Sequence, residues 1–196
     1  MGRIARLSGA VLLVVFLVVS SVSGLMASEI TPFVNDAERQ FTRGNVLGAA
    51  SALRQALVEV YNRSSLKVDK AVLVKGKPAG FGMIQPRVNN KYRSNETIIV
   101  YVEPIGYHFA KGSNSYSFGV TADFSVTDVK GNILGGKKGF GSWEITTRSR
   151  PLFDFYMTLT YNFKGIKPGK YFILTTLNDK HGGGSSTIKT PIEVVP

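Results

Sequence analysis

Apolar residues between Thr31 and about Arg63 recur with the period of an α-helix. The first stripe consists of Phe33, Val34, Ala37 and Phe41, and the second of Val46, Ala49, Ala50, Leu53, Leu57, Val60 and Tyr61. Thr31-Pro32 is a typical helix start, because proline needs no hydrogen-bond donor in the first turn. Gly44-Asn45 separates the stripes, as residues tolerant of positive φ often do. The pattern predicts two short helices that form an αα-hairpin.

After Leu66 the apolar period changes from 3.6 to 2. In the clearest segment, Phe118, Val120, Ala122, Phe124 and Val126 alternate with small or polar residues. A second alternation runs from Phe153 to Phe163. Such alternation indicates half-buried strands of an antiparallel sheet.

Further strands are predicted wherever apolar segments are bounded by glycine, proline or asparagine turns. They are Leu66–Val74, Gly82–Gln85, Thr97–Glu103, Tyr107–Phe109, Phe140–Thr147, Tyr171–Leu177 and Ser186–Val194. Many short strands without helix-length gaps favour a β-sandwich. Thr97–Glu103 is apolar on both faces, so we expect the helical hairpin to cover one of them.

Several short motifs resemble known families. Ala37, Gly44, Ala49, Leu53 and Ala56 resemble the packing positions of one tetratricopeptide-type repeat. Gly169-Lys170-Tyr171 resembles the tyrosine corner of immunoglobulin-like sandwiches, and Asp128–Gly131 resembles a hairpin turn common in that superfamily. Together these features resemble exported bacterial proteins with an immunoglobulin-like C-terminal domain. The resemblance implies an architecture and no particular activity.

The first 27 residues have the three parts of a secretory signal. Arg3 and Arg6 precede the apolar stretch Ala10–Val19, and the small residues Ser20–Ala27 follow it. We therefore expect a cleaved signal peptide at 1–27, a helical hairpin at 28–65 and an immunoglobulin-like β-sandwich at 66–196. The apolar stretch is shorter than the roughly 20 residues of a membrane span. The expected location is outside the cytoplasm, either periplasmic or secreted.

Composition narrows the choice of function and partner. The 196 residues include 24 Lys+Arg, 13 Asp+Glu and no cysteine, which excludes disulfides, zinc–thiolate sites and a cysteine nucleophile. Without the signal's two arginines the net charge is still +9. For an exported protein this favours an anionic envelope surface or an envelope protein as partner, and it does not favour nucleic acid. Solubility is the alternative reason for the charge.

Catalytic and metal-binding patterns are sparse. Only His108 and His181 could act as a histidine base, and no Gly-x-Ser-x-Gly elbow is present. No spacing indicates a metal site or a cofactor. We therefore expect a non-enzymatic binding module of the cell envelope. The alternatives are an envelope hydrolase that uses His108 with Glu103, and a secretion or adhesion subunit whose strand Ser186–Val194 pairs with another chain.

The candidate binding residues are two lysines and two aromatics. Gly135–Gly141 contains Lys137 and Lys138, and its glycine-rich backbone could form an anion-binding turn, although a flexible hairpin loop is the simpler interpretation. Trp143 and Tyr156 are the aromatics that fit the core alternation least well. If both were exposed together, they could form a platform for a carbohydrate or a protein.

Overall fold

The computed structural model describes residues 29–196, so the predicted signal peptide lies outside the described residues. Helix α1 spans Thr31–Thr42 and α2 spans Val46–Arg63. Proline stands in the first turn of α1. The Asn45 side chain caps α2 by accepting a hydrogen bond from the Gly48 N–H at 3.0 Å. The predicted hairpin is thus present, with its turn at Gly44, where φ is 75°.

The strands form two sheets. The small sheet has the order β1-β3-β7, and the large sheet has the order β2-β9-β8-β5-β4, with β6 on the other side of β5. The strand bounds are β1 Lys67–Val74, β2 Lys91–Arg93, β3 Ile98–Ile105, β4 Ala110–Lys111, β5 Ser115–Asp128, β6 Ile133–Arg148, β7 Met157–Tyr161, β8 Gly169–Asp179 and β9 Ser185–Val195. All pairs are antiparallel except β2–β9.

The two sheets share one apolar core, whose side chains come from alternate positions of facing strands. From the small sheet they include Ile98, Val100, Val102, Met157 and Leu159, and from the large sheet Phe118, Val120, Ala122, Ile173, Leu177 and Ile192. The alternation of apolar residues in β5 therefore correctly predicts which face of this strand is buried. The predicted fold class is confirmed as a mainly β, largely antiparallel sandwich of two sheets that is preceded by a short helical hairpin.

Two local structures match the resemblance to immunoglobulin-like sandwiches. The Tyr171 hydroxyl donates a hydrogen bond to the Lys167 backbone oxygen at 2.9 Å, which is the contact expected of a tyrosine corner. In the β5–β6 turn, the Asp128 carboxylate accepts the backbone N–H groups of Lys130 and Asn132. That carboxylate has a lowered pKa because the Asn132 side chain and these turn N–H groups donate to its charged form.

Helix α2 packs against one end of the sandwich rather than against a sheet face. The Tyr61 ring lies 5.1 Å from the Tyr107 ring and 5.2 Å from the Phe153 ring, centroid to centroid. The Asn62 side chain accepts the Phe109 N–H at 2.7 Å and donates to the Phe109 carbonyl at 3.3 Å. Some apolar side chains of the hairpin, such as that of Phe41, remain exposed.

The second apolar face of β3 is covered by another segment than expected. Tyr101 lies on this face and is fully buried, and its hydroxyl accepts the Gly82 N–H at 2.8 Å. Its ring is stacked on Tyr156, with centroids 5.3 Å apart. The expectation that the helical hairpin covers this face is therefore wrong, because part of the β1–β2 connection lies there.

Three other local predictions are also wrong. Gly82–Gln85 belongs to the β1–β2 connection, with only an isolated bridge between Gly80 and Met83. Tyr107–Phe109 is not a strand, since side chains bind its backbone N–H groups: His108 donates to the Asp179 carboxylate and Phe109 to Asn62. The expected flexible loop Gly135–Gly141 lies within β6 and pairs with β5.

Candidate functional site

A concave feature lies along the free edge of the large sheet. Within the described residues, β6 pairs with β5 and with no other strand, so its outer edge is open. A cavity of about 540 Å³ separates the start of β6 from the β7–β8 connection. We call it the edge groove. Its lining comprises Phe124, Val126, Leu134, Gly135, Gly136, Asn162, Phe163, Lys164, Gly165, Ile166, Lys167 and Tyr171.

An aromatic cluster adjoins the groove and holds β6 against β7. The Phe140 and Tyr161 rings are stacked, with centroids 5.0 Å apart, and the Phe124 ring meets Phe140 edge-on at 4.7 Å. The Tyr161 hydroxyl shares a hydrogen bond of 2.6 Å with Thr175, and burial raises the pKa of this tyrosine to about 12. The side of the groove formed by β5, β6 and β7 is therefore fixed by packing.

The opposite wall is formed by the connection 162–168, which the tyrosine corner fixes. The Tyr171 hydroxyl holds the backbone at Lys167, and the Tyr171 ring itself lines the groove. Lys164 and Lys167 are both exposed at this wall. The groove therefore combines an apolar lining with two lysines on the same side.

A bulge in β6 places two further lysines beside the groove. The β5–β6 register changes between Ala122 and Phe124, and the Asp123 carboxylate accepts the Gly139 N–H at 2.6 Å. Lys137 is paired with Phe124, whose ring packs in the core, so Lys137 lies on the same inward face at the sheet edge. Lys138 is exposed in the bulge itself.

The four predicted binding residues do not form one site. Lys137 and Lys138 lie in β6 beside the edge groove. Trp143 is half-buried and paired with Val120, so its indole packs towards the core between the sheets. Tyr156 stacks on Tyr101 at the outer face of the small sheet. Because the two aromatics lie on different surfaces, they do not form the common platform considered from the sequence.

Both histidines are held by structural hydrogen bonds. His108 Nε2 lies 3.0 Å from the Ser64 carbonyl oxygen, which can only accept, so this nitrogen carries the proton. Glu103, the expected orienting group of His108, instead accepts the Tyr101 hydroxyl at 2.6 Å. The Asp179 carboxylate accepts the backbone N–H groups of His108 and His181. These contacts fix loops, and with the proton on Nε2 the lone pair of the His108 ring lies on Nδ1.

Metal binding and membrane insertion each have a simple structural requirement. Between residues 29 and 196, no three histidine, aspartate or glutamate side chains come together as a metal site would require. No helix in the same range is long and apolar enough to span a membrane.

The residues that sequence reasoning missed are Leu134, Lys164 and the rest of the groove wall. Gly-Gly-Lys-Lys has little strand propensity, and for this reason 135–141 reads as a loop. The missed signal is the length of β5, which runs for 14 residues up to the Asp128 turn. An antiparallel hairpin needs a second strand of similar length directly after its turn, and this would have placed Ile133 and Leu134 on an edge strand.

Two neighbouring glycines allow a direct test of the close approach of β6 to β5. A Cβ on Gly136 would contact the Phe124 carbonyl, whereas a Cβ on Gly135 meets nothing within 4 Å. Neither glycine has a left-handed φ. We expect Gly136→Ala to lower the free energy of unfolding by about 1–3 kcal/mol in urea titrations, because the strands must separate. Gly135→Ala is the matched control and should stay within about 0.5 kcal/mol. Equal effects at both positions would contradict the packing described here.

Comparison with known proteins finds matches among solved structures only. No protein-family model matches the sequence, and a search of curated proteins finds no significant match. Among solved structures, the alkylpurine DNA glycosylase AlkC of Pseudomonas fluorescens is 8% identical over 80% of this chain, with a TM-score of 0.37, and this chain spans 40% of its length. The C-terminal domain of wzt is 9% identical, with 69% and 76% coverage of the two chains and a TM-score of 0.38. The CARDB domain of a Pyrococcus furiosus protein, solved with di-metal ions, is 12% identical, with 69% and 96% coverage and a TM-score of 0.28. These similarities carry no argument about function.

Proposed function

We propose that the protein is a non-enzymatic interaction module of the cell envelope that binds its partner in the edge groove. The observation that carries this proposal is the open edge of β6 beside a cavity of about 540 Å³ with an apolar lining and exposed lysines. Binding sites are usually concave and apolar, with a few polar groups that set specificity. Export from the cytoplasm is the part of the proposal that rests on the sequence of residues 1–27.

The alternative of an envelope hydrolase based on His108 has less support. His108 Nε2 donates to the Ser64 carbonyl, and Glu103 binds Tyr101 instead of the histidine. A histidine base is usually oriented by a carboxylate, and Glu103 does not take that position. The edge groove lies in a different part of the sandwich, and no histidine is among the described residues that line it.

Strand pairing remains part of the proposal, but β6 is better placed for it than β9. Strand β9 pairs with β8 along Ser185–Val194, and β2 covers its last residues in parallel. Its open side is also contacted by Asn90, which binds Pro191 and Glu193. Strand β6 has 16 residues and one partner within the described chain.

Site-specific photo-crosslinking in living cells that export the protein tests the proposal. A photoreactive amino acid at Leu134 should give a discrete adduct with an envelope component, and the same group at exposed Lys77 should give none. Lys164→Glu should reduce the yield of the Leu134 adduct about tenfold, because it reverses the charge of one side chain of the groove wall. His108→Ala should leave the adduct unchanged. Identical adducts from both positions, or none from the groove, would refute a binding role for this surface.

A further inference from the structure

We infer that the edge groove takes an extended acidic peptide from another protein, which adds as a strand to residues 133–137 of β6. The inference rests on the proposed function, because it names the class of partner for the same groove. An added strand satisfies the backbone groups of an open edge and gains specificity from alternate side chains.

The first support is the open edge itself. Residues 133–137 are all exposed, and Ile133 and Leu134 are 74% and 57% exposed. Natural edge strands seldom expose consecutive large apolar residues, because another strand can add there. On the side away from β5, the N–H and C=O groups of this segment that do not pair with β5 have no strand partner in the described chain. A register shift leaves Leu134 as an extra residue between Ile133 and Gly135, which bulges the edge at that point.

The second support is the space beside this edge. Gly135 is paired with Val126, a buried residue, so it lies on the inward face of the large sheet. Because glycine has no side chain, the groove stays open there, and a Cβ at Gly135 would meet nothing within 4 Å. Successive side chains of a strand point to opposite faces. An added strand would therefore direct every second side chain into the apolar groove, towards Val126 and Phe163.

The third support is charge. Lys164 and Lys167 line one wall of the groove, and Lys137 and Lys138 directly follow its β6 lining residues Gly135 and Gly136 in the sequence. The nearby carboxylate of Asp123 already accepts the Gly139 N–H and the Asn178 amide. None of the described residues that line the groove is acidic. A peptide with carboxylates between its apolar residues is therefore the complementary partner.

The same lysines disfavour two other occupants. If β6 paired with β6 of a second copy around residues 137–138, lysines of the two copies would face each other, which destabilises cross-strand pairs. A lipid could neutralise the lysines, but it lacks the regularly spaced N–H and C=O groups that an open strand edge requires. The lysines and the bulge at Gly139 thus block self-association while admitting an acidic strand.

The experiment selects 12-residue peptides from a random display library on the purified protein. Enriched peptides should alternate apolar and acidic residues, and each should be synthesised in two N-methylated forms that block alternate sets of backbone N–H groups. Strand pairing predicts that one form loses about tenfold or more in affinity while the other keeps it within about threefold. Hydrogen exchange should show new amide protection at 133–137 and not at 141–148.

Protein variants provide the matched controls. The double variant Lys137→Glu/Lys164→Glu should weaken binding of the selected peptides about tenfold or more. Lys75→Glu/Lys77→Glu makes the same change of charge in the exposed part of the β1–β2 connection and should stay within about twofold. Hydrogen exchange of the free variants shows whether both remain folded.

Several results would overturn the inference. These are an absence of enriched peptides, equal effects of the two N-methylated forms, or enrichment of basic sequences. If vesicles of anionic lipid compete fully with the crosslinked partner while no peptide binds, the partner is a lipid surface. If Leu134 forms a crosslink that depends on Lys164 but no peptide binds, the proposed function is supported. Only the inference of strand addition is then wrong.

Discussion

Replacing Asn62 by alanine should lower the free energy of unfolding by about 3 kcal/mol, one of the largest effects of any polar substitution in this protein. The Asn62 amide is bonded to both the N–H and the carbonyl of Phe109, at 2.7 and 3.3 Å. Phe109 is 5% exposed, so water cannot readily replace the lost partners. Two unsatisfied backbone groups would remain at the point where α2 meets the sandwich. Urea titration measures the loss, and hydrogen exchange of the Phe109 amide localises it.

Gln55 provides the control from the same helix. Its side-chain amide donates a single hydrogen bond of 2.7 Å to the Tyr116 hydroxyl. Gln55→Ala should therefore cost about 1 kcal/mol and leave the exchange of the Phe109 amide unchanged. If Asn62→Ala cost no more than Gln55→Ala, the hairpin would not depend on this paired contact for its docking.

The Asn62 contact also explains one limit of the sequence interpretation. The side chains of Tyr107–Phe109 alternate as they would in a strand. The backbone groups of a strand, however, must form hydrogen bonds with the backbone of a neighbouring strand. Here side chains distant in sequence, Asn62 and Asp179, provide those partners. Local periodicity carries no information about such contacts. By contrast, the β5 alternation and the Tyr171 corner depend on nearby residues, and both were predictable.

The edge groove shows a second limit. Its lysines are visible in the sequence as two separate clusters, Lys137-Lys138 and the run Lys164–Lys170. Whether the two clusters lie close together depends on how β7 packs over β5 and β6. The stacked rings of Phe140 and Tyr161 are part of that packing. Propensity assigns the first cluster to a loop, although a tertiary pairing with β5 makes it a strand. The site therefore arises from topology, and the sequence alone gives only its chemical components.

Replacing Tyr101 by phenylalanine should lower the free energy of unfolding by about 3 kcal/mol, although the substitution removes only the hydroxyl group. That hydroxyl accepts the Gly82 N–H and donates to the Glu103 carboxylate at 2.6 Å. Glu103 is 7% exposed, and the charged side chain of Lys70 lies 3.7 Å from it. Without the hydroxyl, a buried carboxylate and a backbone N–H each lose a partner. Hydrogen exchange should increase around Gly82, where the β1–β2 connection covers the sheet.

The titration of Tyr101 gives an independent measurement of the same contact. Burial, and then the hydrogen bond to Glu103, raises the pKa of Tyr101 to about 12. In the unfolded chain this tyrosine ionises near 10, so its contribution to stability is complete below pH 10 and falls as the pH rises towards 12. Tyr101→Phe should therefore show a smaller loss of stability between pH 10 and 12 than the unsubstituted protein.

A double-variant cycle separates the hydrogen bond from the packing around it. In Tyr101→Phe/Glu103→Leu the buried carboxylate is absent as well, so the double variant should be more stable than the sum of the two single losses implies. Tyr156→Phe removes a hydroxyl from the half-exposed ring that stacks on Tyr101 and should change stability by less than about 0.5 kcal/mol. Strictly additive losses at Tyr101 and Glu103 would show that the two side chains act separately. The β1–β2 connection would then be held on β3 by ring packing, without a contribution from the Gly82–Tyr101–Glu103 hydrogen bonds.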